Sequence, residues 1–277
     1  MKRIIVSFCA FLCALGISSA QDVESVTELY NKAAGLVADN KDEAITLFEQ
    51  VLEQASSLGE EGAEMVSQSQ SILPKLYIAV AKTAAGSGDF KAALEKFSKA
   101  AELAEKFGDE GAKTEVESNI PKVYVQQGAT LVKAGDIDGA VSAFEKALEL
   151  GQTEVATKQL SNIYVKKAAA CQKAKDMKGA VEAAQKSVEY LDNPTAQKII
   201  GLCSIALKQN KVAADALEAY LAQKPDAQDK VQIIYQLGEA LAKAGENAKA
   251  CGYFKQIAQD AKWGEAARYQ LTTLKCN

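Results

Sequence analysis

The chain has six cysteines and no histidine, and those two counts bound its chemistry. Without histidine there is no Ser-His-Asp or Cys-His nucleophilic site, and the commonest metal ligand is missing. No Walker-type loop, dinucleotide-binding glycine pattern or Cys-x-x-Cys pair occurs. Paired acids such as Glu60-Glu61 and Asp42-Glu43 fall at predicted turns and helix starts. There a carboxylate complements the helix dipole, so they read as capping charge, not as an acid/base pair. The expectation is a chain with no catalytic residue, no metal site and no cofactor.

The N-terminus reads as a targeting segment. Lys2 and Arg3 precede an apolar stretch from Ile4 to Ile17 interrupted by Ser7, and Ser18-Ser19-Ala20 supplies small residues for cleavage. The stretch falls short of the roughly 20 residues that a membrane-crossing helix needs, which makes an uncleaved anchor the weaker reading. Phe8 and Leu12 precede Cys9 and Cys13, where a lipoprotein signal wants a small residue. Residues 1–20 are therefore expected to be a cleaved signal peptide. The predicted destination is outside the cytoplasm: the periplasm of a bacterial envelope, or the secreted space.

Residues 21–277 contain no other run long enough to span a membrane. Without Lys2 and Arg3, 30 basic residues face 36 acidic ones, a net charge of −6. With no basic block, nucleic acid is a poor partner, because phosphate neutralisation dominates that binding. Hydrophobic residues make up 48% of the chain but aromatics only 6%, which points to a core of close helix contacts.

Internal repeats supply the elements. Leu73-Pro74-Lys75-Leu76-Tyr77-Ile78 aligns with Ile120-Pro121-Lys122-Val123-Tyr124-Val125, and Gly88-Asp89-Phe90 with Gly135-Asp136-Ile137. Ala93 to Ala100 aligns with Ala140 to Ala147. Later copies run from Ile163-Tyr164-Val165, from Gly201 and from Tyr235-Gln236-Leu237-Gly238. An upstream copy turns at Asp39-Asn40-Lys41 and resumes at Ala44 and Phe48. From Gly88 the turns recur at Gly135, Lys175, Asn210 and Gly245, steps of 47, 40, 35 and 35 residues. The longer steps carry a shared insert, Leu58 to Ala63 and Phe107 to Ala112.

A large residue, a small residue four on, a Gly-Asp turn and then Ala-x-x-x-Phe-x-x-Ala resembles the tetratricopeptide repeat. The Leu-Gly-acid connection is similar to that family's longer-period variant. The resemblance implies an all-α fold in which about six helix-turn-helix units stack into a right-handed superhelical solenoid over residues 21–277. Small residues at Ala81, Gly128, Ala168, Gly201 and Gly238, met by Ala44, Ala93, Ala140, Ala180 and Ala250, would let paired helices approach. Tyr77, Tyr124, Tyr164, Phe48, Phe97, Phe144 and Phe254 would fill the space between units, each contributing on the order of 1.5–3 kcal/mol if fully buried. Trp263 to Cys276, with apolar Ala266, Ala267, Tyr269, Leu271 and Leu274, reads as a capping helix.

Carried over position by position, the groove-lining set is Lys75, Ile78, Lys82, Lys122, Val125, Lys133, Val165, Lys166 and Gln172. Some family members grip a C-terminal carboxylate with a Lys/Asn clamp, from which Ile78 and Lys82 depart. The expected ligand is instead an extended or helical peptide carrying acidic residues. The units also place the four remaining cysteines. Cys171 and Cys203 fall at near-equivalent positions of adjacent first helices, and Cys251 falls in the last second helix with Cys276 in the cap beside it. Bridges Cys171–Cys203 and Cys251–Cys276 would close loops of roughly 25–33 residues, worth about 3–4 kcal/mol in the chain-entropy model. Three pairings exist, and four buried free thiols are the alternative; the sequence does not choose among them. Redox catalysis is disfavoured, since no pair has the spacing or basic surroundings of reactive thiols.

The sequence thus predicts a non-catalytic scaffold or adaptor of the envelope or secreted space that binds a protein or peptide in its concave groove. The alternative is a self-associating or bracing component of an envelope assembly without a dedicated groove.

Overall fold

A computed structural model of the chain describes residues 22–276. The predicted signal peptide, with Cys9 and Cys13, lies outside the described residues. Every regular element among the described residues is helical. The chain divides into two compact units at Asp136/Ile137. The first unit holds α1 (22–36), α2 (Lys41–Ser57), a 3₁₀ turn (Gly59–Gly62), α3 (Ala63–Ser87), α4 (Phe90–Phe107) and α5 (Glu110–Ala134). The second holds α6 (Ile137–Glu149), α7 (Thr153–Lys173), α8 (Met177–Tyr190), α9 (Pro194–Ala206), α10 (Asn210–Gln223), α11 (Lys230–Lys243), α12 (Asn247–Ile257) and α13 (Gly264–Thr273). Helices consecutive in sequence pack on one another within each unit, from α2 on α3 to α12 on α13. Within each unit this is the all-α stacking of helical hairpins that the repeats predict.

The Gly-Asp turns work as a pair. Gly88 and Gly108 end α3 and α4 in the left-handed region, at φ 87° and 72°, where a Cβ is penalised. The following Asp89 and Asp109 carboxylates accept the backbone N–H of Ala92 (3.0 Å) and Ala112 (2.9 Å), capping the next helix. Asp176 does the same for Gly179 at 2.9 Å. The equivalent left-handed positions before α8 and α10 are filled by Lys175 (φ 63°) and Lys208 (φ 59°).

Small residues of a first helix meet large residues of its own partner helix, not only the alanines that the repeats predict. A Cβ on Gly238 would stand 2.7 Å from the Phe254 ring, and one on Gly201 would stand 2.5 Å from Leu217 Cγ. Neither gap can accept a methyl group without displacing a buried side chain. Phe48 and Phe97 are at most 1% exposed in the first unit, as are Phe144, Leu217 and Phe254 in the second. Tyrosines add polar ties: Tyr77 donates to Glu49 (2.7 Å), Tyr190 to Glu145 (2.8 Å) and Tyr253 to Glu218 (3.2 Å). Burial first, and then the neighbouring carboxylate, push all three phenols above their usual range.

Four expectations change. The predicted insert is a separate connection only in its first copy, the 3₁₀ turn before α3; its second copy contributes the first turn of α5, and α3 and α5 each run for 25 residues through Pro74 and Pro121. Tyr124 is only half-buried. Tyr269 is 70% exposed and takes no part in the cap's contact, which rests on Ala267 with help from Leu271 and Leu274. The bond Cys171–Cys203 does not form. Helix register sets the Gln172 side chain, not the neighbouring sulfur, against the buried Cys203 thiol, and both cysteines are free. Cys251 and Cys276 are joined, with Cα atoms 5.7 Å apart.

Candidate functional site

The predicted groove residues of the first unit lie on α3 and α5, which pack against one another. Asn119, Lys122 and Gln126 recur at spacings of three and four on α5 and so share one helix face. With Lys82, Ala85 and Gly86 of α3 they line a cleft of about 190 Å³. Phe97 and Val123 form its apolar base. The Lys82 ammonium pairs with Glu115 of α5, one turn before Asn119 on the same face. This arrangement offers two lysines and two side-chain amides above a small apolar surface. It can recognise carboxylates and peptide groups. Asn119 and Gln126 are absent from the predicted set, although their spacing from Lys122 was available to find them.

The remaining predicted residues separate. Lys75 is exposed in another shallow cleft, of about 400 Å³, with Ser67, Gln70, Ser71 and the Phe107-Gly108-Asp109 turn. Lys133 is exposed in the last turn of α5, where a cation complements the helix dipole. Val125 is half-buried. Ile78 is a correction: it is 3% exposed and belongs to the core. Because α3 packs against α2, α4 and α5, its buried arc is wide enough to take in Leu76, Tyr77, Ile78 and Ala81 together.

In the second unit Lys166 is exposed, whereas Val165 packs against the core cluster that holds Ala168 and Cys203. Gln172 turns inward. Burial pushes the Cys203 thiol up, and the Gln172 hydrogen bond only partly offsets this, so Cys203 is a core thiol and not a nucleophile. No group of three metal-ligating side chains occurs among the described residues. No described helix is long and apolar enough to cross a membrane.

Residues 121–152, the second half of α5 through α6 and its following turn, match the family model for the tetratricopeptide repeat. No curated protein matches the chain. Among solved structures, it is similar to YrrB, a tetratricopeptide-repeat protein with an unusual peptide-binding site. Identity there is 21%, over 70% of this chain and 91% of that one, with a TM-score of 0.34. The tetratricopeptide-repeat domain of P58(IPK) is 15% identical over 90% of this chain and 78% of its own, with a TM-score of 0.33. PilF of Pseudomonas aeruginosa is 14% identical over 74% and 84%, with a TM-score of 0.34. The matched segment contains the left-handed turn at Gly135, and left-handed residues recur at Gly88, Lys175, Lys208 and Gly245. The family comparison thus identifies one tetratricopeptide repeat in this chain, at residues 121–152.

Proposed function

We propose that this protein is a non-catalytic adaptor that holds a peptide segment bearing acidic residues against the α3/α5 face. Proteins of this family are generally non-catalytic scaffolds that bind protein or peptide partners. The observation that carries the finer reading is the cleft, which Lys82 and Lys122 line together with Phe97 and Val123 in a chain of net negative charge. An apolar base gives a side chain somewhere to bury, and the lysines and amides fix register and charge preference.

The signal grammar of residues 1–20 and the Cys251–Cys276 bond support a working place outside the cytoplasm, in the periplasm or the secreted space. A native protein beginning at Gln21 is the expected product, and sequencing its N-terminus checks this. For the groove, a partner recovered from the envelope fraction is titrated against wild type and Lys82→Glu/Lys122→Glu. The reversal is expected to weaken binding at least tenfold, with the loss shrinking as salt rises. Equal affinity in a folded double variant refutes the face assignment.

A further inference from the structure

We propose that the Cys251–Cys276 bond is a releasable latch on α13, so that reduction opens the C-terminal half of the cap while the rest of the array stays folded. The inference does not depend on the groove.

The cap is held in two different ways along its length. Its start is fixed by packing and hydrogen bonds. Trp263 lies on Tyr235 with ring centroids 4.9 Å apart, and Asp260 accepts the backbone N–H groups of Lys262 (2.9 Å) and Trp263 (2.8 Å). Arg268 donates to the Ala258 carbonyl, and Gly264 and Ala267 are the buried residues of α13. Beyond Arg268 the anchorage thins. Tyr269 is 70% exposed, Thr272 and Thr273 face solvent, and Leu271 and Leu274 are only partly buried. At ten residues α13 is shorter than the roughly 12–15 that an isolated helix needs to be even marginally stable. The disulfide is thus the strongest tie on the last turn.

Both cysteines are partly exposed, so a small dithiol can reach them. One thiolate of the dithiol attacks one sulfur and the other leaves as a thiolate. The second thiol of the reductant then resolves the mixed disulfide. The net change is two electrons and two protons from the dithiol, giving two cysteine thiols and an oxidised reductant. Release uncovers the apolar strip on which Leu271 and Leu274 rest. The core beneath survives, because Leu237, Leu241 and Phe254 are buried at 0–1% exposure between α11 and α12.

Hydrogen exchange of the full mature protein, read by mass spectrometry with and without dithiothreitol, tests the latch after peptide mapping without reductant. Exchange in residues 269–276 should rise about tenfold on reduction, with α2–α4 and α11 unchanged. Cys251→Ser/Cys276→Ser should match the reduced protein and ignore dithiothreitol. Unchanged exchange at 269–276 overturns the proposal, because the cap would then hold itself. Equal acceleration across α9–α12 also overturns it, since the bond would then support the whole unit. A peptide map with both thiols free removes its premise.

Discussion

Gly238 and Gly252 lie in one hairpin, on α11 and α12, and the same substitution should move stability in opposite directions at the two. Alanine is better than glycine in a helix interior by about 1 kcal/mol, and that term is common to both sites. At Gly252 an added Cβ meets nothing within 4 Å, so the propensity gain stands alone and Gly252→Ala should stabilise by about 1 kcal/mol. At Gly238 the Cβ arrives 2.7 Å from Phe254 Cε1 and Cζ, well inside van der Waals contact. That ring is fully buried and stiff, so α11 and α12 must separate or Phe254 must leave its rotamer. Overpacking of this kind costs about 1–3 kcal/mol, leaving Gly238→Ala neutral to about 2 kcal/mol destabilising. The difference between the two variants, about 1–3 kcal/mol, isolates the packing term because propensity cancels. Urea unfolding with the single Trp263 as the local probe reads both variants in the oxidised protein. If Gly238→Ala stabilises as much as Gly252→Ala, the close-approach explanation of the small-residue positions is wrong.

Lys175 and Lys208 sit at φ 63° and 59°, where the equivalent turns at Gly88, Gly135 and Gly245 place glycine. Their replacement by glycine should each raise stability by about 0.5–1 kcal/mol, after the extra unfolded-chain entropy of glycine is subtracted; a fall in the urea midpoint contradicts the strain argument. Burial pushes the Asp229 carboxyl up, but the Lys198 ammonium and the Tyr220 hydroxyl (2.8 Å) outweigh it and hold the group below its ordinary value. A carboxyl depressed on folding contributes stability above its unfolded pKa of about 3.9 and loses it as pH falls through the lower folded value. Wild type should therefore lose more stability between pH 5 and 2 than Asp229→Asn, and parallel pH profiles would count against this ion pair.

The hairpin pattern was legible because local chemistry enforces it. Gly88-Asp89 needs only a left-handed residue and a capping carboxylate to end one helix and start the next, and both are written in adjacent letters. Gly238 and Phe254 were each legible as core positions, but only the structure pairs them, since the sequence assigns Gly238 to an alanine contact and Phe254 to the space between units. The groove was legible only in part. Lys82 and Lys122 line one cleft, but Ile78 on the same helix turns into the core. How wide an arc of α3 is covered depends on how many neighbours it packs against, which the α3 sequence does not state. Asn119 and Gln126 join the cleft through the face of α5 they share with Lys122, which repeat positions alone do not specify.

The cysteines mark the same boundary. Sequence alone determined that the chain is an array of helical hairpins without histidine chemistry, and that four cysteines fall in its later part. Only the tertiary structure decided that Cys251 meets Cys276 while Cys203 meets Gln172. Repeat spacing fixes which helices are neighbours, but a bond between side chains also depends on helix rotation and axial offset. A shift of one residue turns a helix by about 100°, enough to exchange a sulfur for an amide at the same contact.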